Sequence, residues 1–120
     1  MGNIMETIKS YTDLSQSKTL SKILSPESAD MHFVNDKHAG CVPYLEMTDG
    51  SNPWLKGTNI SPCWSLSALL GVLPNYQLQT QDDGIGILCS CNGKFNIVTA
   101  NNPVDACVAM IVKLHEQKLL

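Results

Sequence analysis

Apolar residues near the C-terminus of this chain are spaced as they would be on one face of a helix. Asn102 and Pro103 come directly before them, and an N-cap followed by a proline at the first helical position is typical of a helix start. Asp105 adds a negative charge near the positive end of the helix dipole. The pattern predicts a helix whose main apolar stripe consists of Val104, Cys107, Val108, Ile111 and Leu114.

A second helix is predicted by a stripe of leucines in the middle of the chain. Ser61 and Pro62 precede the stripe, so we expect the helix to begin at these two residues. Pro74 follows it, and the helix should end there because the residue before a proline avoids helical geometry. The leucines stand at i, i+3, i+4 and i+7: Leu66, Leu69, Leu70 and Leu73.

A third helix, near the N-terminus, is predicted by a capping box. The Asp13 side chain can accept a hydrogen bond from a first-turn amide, while the Gln16 side chain reaches back to the Asp13 backbone. Pro26 should end this helix, and residues 1–12 before it are expected to be a flexible N-terminus. Its apolar face consists of Leu20, Ile23 and Leu24.

Five further stretches have the composition of strands. Pro43 lies in one of them and confines it to an edge or a bulge, because proline cannot donate to the ladder. Residues 48–59, around Trp54, are rich in turn-forming residues and are predicted to form a loop. The predicted strands are residues 30–35, 41–47, 76–81, 85–91 and 94–99.

Asn92–Gly93 joins the last two predicted strands and is the strongest hairpin signal in the sequence. Both residues tolerate the positive φ of a type I′ turn, which connects two strands through two residues. Such a turn would pair Cys91 with Lys94 and Cys89 with Asn96. Both thiols would then lie on the more polar face of the hairpin.

A three-residue turn with a bulge at Gly93 is the alternative. It would pair Cys91 with Phe95 and Cys89 with Ile97, and both thiols would face the core. The two-residue turn gathers the large apolar residues Leu88, Phe95 and Ile97 on the core face, whereas the three-residue turn suits the usual burial of cysteine. We favour the two-residue turn, and the exposure of the thiols depends on this choice.

Together these elements predict an α+β fold: a small antiparallel sheet of three to five strands with about three helices packed on it. The chain has 120 residues, so we expect residues 1–120 to form a single domain. A chain of this size can bury a core without a disulfide or a structural metal, and no motif for a cofactor is present. Hydrophobic residues make up 43% and charged residues 16%, which argues against disorder.

The charges are few and scattered, with 8 Lys and Arg against 11 Asp and Glu and a net charge of −3. A protein that binds duplex nucleic acid usually shows a basic patch, so this distribution disfavours nucleic acid and leaves it as the last alternative. It also disfavours a polybasic membrane contact, and no apolar run approaches the roughly 18 residues that span a bilayer. The N-terminus lacks the apolar core of a signal peptide. Five cysteines without a secretory context predict free thiols in the cytoplasm.

The segments SPCWSLSALLGVLP and NNPVDACVAMIVKLHEQKLL resemble a group of small uncharacterised proteins from gut Bacteroides-type bacteria and their phages or mobile elements. In that group a W-S-L-x-x-L-L-x-x-L-P segment and a variable hairpin region precede a closing helix with the pattern N-P-x-D-A…L-H-E. The resemblance covers residues 61–120, with a weaker echo at residues 25–31. The group has no established activity, so the resemblance implies a bacterial or phage accessory protein and no catalytic residues.

Cys63–Trp64, close to a predicted helix start, is similar to the segment around the nucleophile of papain-like thiol proteases. A thiol at a helix N-terminus has a lowered pKa. However, the papain pattern has a glycine and a small residue directly before the nucleophile, where this chain has Ser61 and Pro62, and its histidine comes about 130 residues later. This chain offers only His115 downstream and His32 upstream as plausible bases. We favour Cys63 as a packing residue, with a small cysteine hydrolase as the alternative.

Cys89 and Cys91 are the candidate metal ligands, because alternate residues of a strand face the same side. Structural zinc sites, however, favour two to four residues between ligands, usually in a turn, and they need four ligands. Further ligands would have to come from residues that stand at no recognisable spacing. These are Cys41, Cys107, His32 and His38. We therefore expect no metal, with Cys89 and Cys91 as the alternative.

The remaining candidates are binding residues. Trp54 either plugs the edge of the core or anchors a partner. Ser67 and Gly71 lie opposite the leucine stripe, where small side chains permit the close approach of another backbone or simply face solvent. The low charge and the terminal Leu119–Leu120 favour a homodimer. We expect a non-enzymatic accessory or adaptor protein that binds another protein or itself.

Overall fold

The computed structural model describes residues 9–36, 40–45, 59–81, 84, 86–92 and 96–120. Within these ranges helices and strands both occur, so the α+β class is confirmed. The helices are α1 (Leu14–Leu20), α2 (Leu66–Val72) and α3 (Pro103–Glu116), with a 3-10 turn at Pro26–Ser28. The strands are β1 (Met31–Asp36), β2 (Gly40–Leu45), β3 (Asn59–Cys63), β4 (Tyr76–Thr80), β5 (Ile87–Cys91) and β6 (Asn96–Ala100).

The strands form two antiparallel sheets of three strands each, where the sequence predicted one sheet of three to five. The first sheet has the order β2-β1-β3 and the second has the order β4-β5-β6. Pro43 lies in β2, and β2 is an edge strand, as predicted. The strand that the prediction missed is β3.

The missed strand begins in the predicted loop and runs through the predicted start of the second helix. Ser61 and Pro62 lie in β3, and their assignment to a helix start is wrong. A proline fits an edge strand as well as it fits a first helical turn, and β3 lies at an edge. The N-cap of α2 is Ser65, whose hydroxyl oxygen accepts from the backbone N–H of Ala68 at 3.2 Å. The end of α2 is as predicted, because Leu73 before Pro74 is extended.

The other two helices begin as predicted. The capping box of α1 is present: Gln16 N–H donates to Asp13 at 2.7 Å, and Asp13 N–H donates to the Gln16 side chain at 3.1 Å. However, α1 ends at Leu20 and is followed by turns up to Pro26. The N-cap of α3 is Asn102. All five residues of its predicted stripe are buried, and so are Ala106 and Met110.

The core lies around α3. This helix packs on β5 and β6 on one side and on α2 and α1 on the other, which explains why its first half is apolar on several faces. The core also holds Leu20 of α1, Trp64 and Leu69, all fully buried. In the described part of the chain no helix is long and apolar enough to cross a membrane, since α3, with 14 residues, is only about 21 Å long.

The first described residues run beside the segment that leads into α2. Thr12 N–H donates to the Trp64 carbonyl at 2.9 Å, and Leu66 N–H donates to the Ser10 carbonyl at 3.0 Å. Lys9 forms an ion pair with Asp105 at 2.7 Å. Part of the segment for which flexibility was expected is therefore tied to α2 and α3, while residues 1–8 lie outside the described ranges.

Asp105 ties these segments together. It accepts hydrogen bonds from Lys9 at 2.7 Å, from Gln16 of α1 at 2.8 Å and from Asn102 at 2.9 Å. Partial burial alone would raise the pKa of the Asp105 carboxyl, but these donors outweigh it and hold that pKa below its ordinary value. Burial likewise opposes the charge of Lys9, and the carboxylates of Asp105 and Asp13 nevertheless raise the pKa of Lys9.

Replacing Asp105 with asparagine should lower the free energy of unfolding at neutral pH by about 1–2 kcal/mol, because the donors lose a charged acceptor. Because the pKa of Asp105 is lower in the folded than in the unfolded state, its carboxylate stabilises the fold fully above the unfolded-state pKa of about 3.9. This stabilisation is lost as the pH falls through the folded-state pKa of Asp105. The pKa of Lys9 is raised, so the pH dependence has the opposite sign. The Lys9 ammonium stabilises the fold fully below about pH 10.4, and this stabilisation is lost as the pH rises through the folded-state pKa of Lys9.

Urea unfolding of wild type and Asp105→Asn should therefore differ most between about pH 5 and 9 and converge in acid. Asp13→Asn is the matched control. Asparagine is an equally good N-cap, and the ion pair that it removes is longer and more exposed, at 3.3 Å. A loss for Asp105→Asn that stays the same in acid would show that the charge of Asp105 contributes nothing.

Candidate functional site

Cys63, the candidate nucleophile, is the last residue of β3 and is fully buried. It does not lie in the first turn of a helix, because α2 begins only at Leu66. Burial raises the pKa of the Cys63 thiol, hydrogen bonding with Thr12 opposes this rise, and the charge of Asp30 adds to it. With its pKa raised, the thiol is protonated at neutral pH and is a poor nucleophile.

Neither histidine proposed as the base for Cys63 pairs with it. Met31 of β1 faces Cys63 across the ladder, and His32 is the next residue, opposite Pro62. Successive side chains of a strand point to opposite faces, so His32 and Cys63 lie on opposite sides of the first sheet. His115 is exposed near the end of α3. In the described part of the chain, the nucleophile–base pair of a cysteine hydrolase is not formed.

Thr12 supplies the polar neighbours of Cys63. Its hydroxyl oxygen lies 2.7 Å from Ser17 Oγ and 3.7 Å from Cys63 Sγ. The Cys63 thiol in turn donates to the Thr12 carbonyl at 3.5 Å, and the backbone N–H of Trp64 donates to the Thr12 hydroxyl at 3.1 Å. This buried group holds two hydroxyls and a thiol but no acid or base. It joins the N-terminal segment to β3, and no pattern in the sequence indicated it.

The polar groups beside this cluster are also paired. Trp64 Nε1 donates to the Ser28 hydroxyl at 2.9 Å, and that hydroxyl donates to the Ser25 carbonyl at 2.7 Å. Asp30 accepts from both the backbone N–H and the hydroxyl of Ser65. Among the described residues no buried side-chain nitrogen or oxygen lacks a hydrogen-bond partner. The cluster therefore presents no free polar group to a ligand.

The hairpin of β5 and β6 has neither of the predicted registers. Cys91 pairs with Asn96 and Cys89 pairs with Val98. Four residues, 92–95, therefore connect the two strands, whereas the prediction allowed two or three. Asn92 does have the positive φ, 54°, that the turn signal implied.

The burial of the thiols follows from the position of α3. The favoured register placed Cys89 and Cys91 on the more polar face of the hairpin; that register is wrong, and both thiols are fully buried in the core that includes α3. Ile97, expected inside, is 41% exposed on the other face of the sheet. Cys107 is a small residue of α3 that contacts Cys89, so the helix lies close to the face of the sheet that carries the two thiols.

The three thiols of this region interact with one another. A hydrogen bond from Cys107 lowers the pKa of Cys89 against the opposing effect of burial, and the same bond raises the pKa of Cys107. Burial and the neighbouring Cys89 raise the pKa of Cys91 to about 11. No three His, Cys, Asp or Glu side chains of the described residues are arranged to hold a metal ion. The thiols fill the space between β5 and α3 as small apolar groups.

The remaining candidates are divided between the described and the undescribed parts of the chain. Trp54, His38 and the side chain of Cys41 lie outside what the structure describes, and their roles stay predictions. Ser67 and Gly71 are exposed on α2, and a Cβ at position 71 would meet open space. Packing within the described chain therefore does not require a small residue at position 71.

Thiol reactivity should follow this burial. In the native protein the thiols of Cys63, Cys89, Cys91 and Cys107 should react with iodoacetamide at least about 10³-fold more slowly than after denaturation, because reaction must await opening of the chain. Mass spectrometry of a Cys41→Ser variant would measure this at four thiols of known burial. Rapid native labelling of Cys63 with a midpoint below the ordinary thiol pKa of about 8.5 would restore the nucleophile hypothesis.

β4 lies at an outer edge of the second sheet, and no strand of the described residues pairs with that edge. Asn92 N–H donates to the Asn75 carbonyl at one end of the β4–β5 ladder, and Gln81 N–H donates to the Gly86 carbonyl at the other. Hydrogen-bonded and non-hydrogen-bonded pairs alternate along an antiparallel ladder. Between those ends, the residues whose N–H and C=O groups point away from β5 are Tyr76, Leu78 and Thr80.

Each of the other outer edges of the two described sheets carries a feature that disfavours pairing with a further strand. β2 contains Pro43 and β3 contains Pro62, and a proline has no N–H to donate to a further strand. On β6 the outward carbonyl of Ile97 accepts from the Lys113 ammonium at 3.2 Å. β4, with the sequence YQLQT, has neither proline nor charge, and only Leu78 among its side chains is partly buried.

No protein-family model matches the chain, and neither a curated protein nor a solved structure matches it.

Proposed function

We propose that this protein acts by binding another polypeptide chain, either a partner protein or a second copy of itself, at the outer edge of β4. The observation that carries this proposal is the row of outward-pointing backbone groups on a strand that has no proline and no charge. Such an edge takes up a further strand through main-chain hydrogen bonds.

The buried chemistry supports binding over catalysis. The most nucleophile-like residue, Cys63, has a raised pKa and no access to solvent. The thiols of Cys89, Cys91 and Cys107 are enclosed between β5 and α3. A cysteine hydrolase needs an accessible thiolate beside a base, and none of the four thiols whose burial is described meets this requirement.

We propose that the chain is a cytoplasmic accessory or adaptor protein of a bacterium or its phage. The resemblance of residues 61–120 to a group of such proteins supports it. The described cysteines are free, and free thiols suit a reducing compartment. The net charge of −3, without a basic cluster, favours a protein partner over nucleic acid.

A variant with a protected edge tests this function. Gln77→Lys with Gln79→Lys adds two charges at exposed positions of β4 whose backbone groups already bond to β5, so the fold should persist. Wild type should associate with itself or retain a protein partner, and this variant should do neither. Light scattering would measure the mass of each protein in solution. Quantitative mass spectrometry would measure the proteins that each immobilised chain retains from a cell lysate.

The matched control is Thr19→Lys with Ser21→Lys. It places the same charges at exposed positions at the C-terminal end of α1 and should bind as the wild type does. Binding that survives the β4 substitutions, or a wild type that binds nothing, would contradict the proposal.

A further inference from the structure

We infer that the chain which binds to β4 is a second copy of this protein, paired antiparallel through β4 with Leu78 of both copies on the two-fold axis. This inference rests on the function proposed above and adds the identity of the bound chain.

The backbone groups of the edge match themselves under this rotation. With Leu78 opposite Leu78 of the second copy, Tyr76 lies opposite Thr80. These are the residues whose N–H and C=O groups point away from β5, so each pair across the axis exchanges two hydrogen bonds. A shift of one residue would set outward groups against inward ones. A shift of two would leave one of the three residues without a partner.

The side chains are compatible with the same register. The strand YQLQT reads almost identically in both directions, so Gln77 meets Gln79 of the second copy. This is a non-hydrogen-bonded pair, in which the side chains approach most closely, and two amides can donate to and accept from each other. No charged residue lies in the strand, so self-pairing brings no like charges together.

The leucine on the axis connects the two cores. Leu78 pairs with Cys89 and is packed against the core on the face that α3 covers. Two such leucines in contact would continue the core from one copy to the other. Tyr76, which is exposed, would be covered on the same face. A single pair of short strands gives a small interface, so the dimer should form only as the concentration rises.

Exchanging charges across the axis tests the register directly. In Gln77→Lys with Gln79→Lys, each lysine faces a lysine of the second copy, and in Gln77→Glu with Gln79→Glu each acid faces an acid. Each variant alone should be monomeric at concentrations where wild type is dimeric, by light scattering. A mixture of the two should form a heterodimer, detected by native mass spectrometry, because every lysine then faces a glutamate. The control Thr19→Lys with Ser21→Lys should remain dimeric.

The possible failures separate this inference from the function on which it rests. A wild type that is monomeric at every concentration, yet retains a protein that the lysine variant does not, would overturn self-pairing and leave binding at β4 standing. A wild type that neither dimerises nor retains a protein would overturn both self-pairing and binding at β4. A dimer that persists in the lysine variant, or a mixture that does not form heterodimers, would show that the copies do not meet in this register.

Discussion

Replacing Trp64 with alanine should lower the free energy of unfolding by about 3–5 kcal/mol. Trp64 is fully buried and belongs to the core that α1, α2 and α3 share. Alanine would remove its apolar contacts and leave a cavity that the surrounding helices can fill only in part. Since a domain is typically stable by about 5–15 kcal/mol, the urea midpoint should fall by a large fraction.

Two further variants separate the bulk of the indole from its hydrogen bond. Trp64→Phe keeps much of the ring and should cost less than alanine. Ser28→Ala keeps the ring but removes the acceptor that Trp64 Nε1 uses at 2.9 Å, which should cost about 1–3 kcal/mol. Far-UV circular dichroism is the suitable probe, because the substitution removes one of the two tryptophans and therefore changes the fluorescence signal itself. A Trp64→Ala protein with the wild-type midpoint would show that the indole is not part of the core.

Replacing Thr12 with valine should lower the free energy of unfolding by about 2–4 kcal/mol, although the two side chains have nearly the same shape. The valine leaves the Ser17 hydroxyl without its contact at 2.7 Å and the Trp64 N–H without its acceptor at 3.1 Å. Both groups are buried, so water does not replace the lost bonds. Urea unfolding at neutral pH measures the loss.

Thr19 provides the matched control for this substitution. It is exposed on α1, and Thr19→Val should change the stability by no more than about 0.5 kcal/mol. Thr12→Ser keeps the hydroxyl and should recover most of the loss. A double-mutant cycle with Ser17→Ala should show coupling of about 0.5–3 kcal/mol between positions 12 and 17. If Thr12→Val were as mild as Thr19→Val, the buried hydroxyl would not hold the N-terminal segment.

The sequence predicted those features that depend on short-range signals. The α1 capping box and the Asn102–Pro103 start of α3 act within one turn, so their residues alone determine them. The position of β3 depends on a distant strand, because Ser61–Pro62 pair with β1 about 30 residues earlier. A proline is compatible with both a helix start and an edge strand, and only the tertiary pairing decides between them.

The hairpin register and the candidate site required the same kind of long-range information. Asn92–Gly93 indicated a turn, but the turn alone does not determine which face of the hairpin α3 covers. The prediction therefore placed Cys89 and Cys91 on the face opposite the core. The residues of β4 were overlooked for a related reason. YQLQT shows no charge and no proline, yet this matters only once the strand is known to lie at the edge of its sheet.

The ion pair between Lys9 and Asp105 also has a consequence for folding during synthesis. These residues are 96 positions apart, so the first cannot find its partner until almost all of the described chain has been synthesised. At about 5–20 residues per second, the early segment waits roughly 5–20 s. Throughout that time α1 lacks α3 to pack against, and in the first part of it α1 also lacks β3, so the leucines of α1 remain accessible. Chaperones that bind nascent chains would therefore meet this segment before the rest of the described chain.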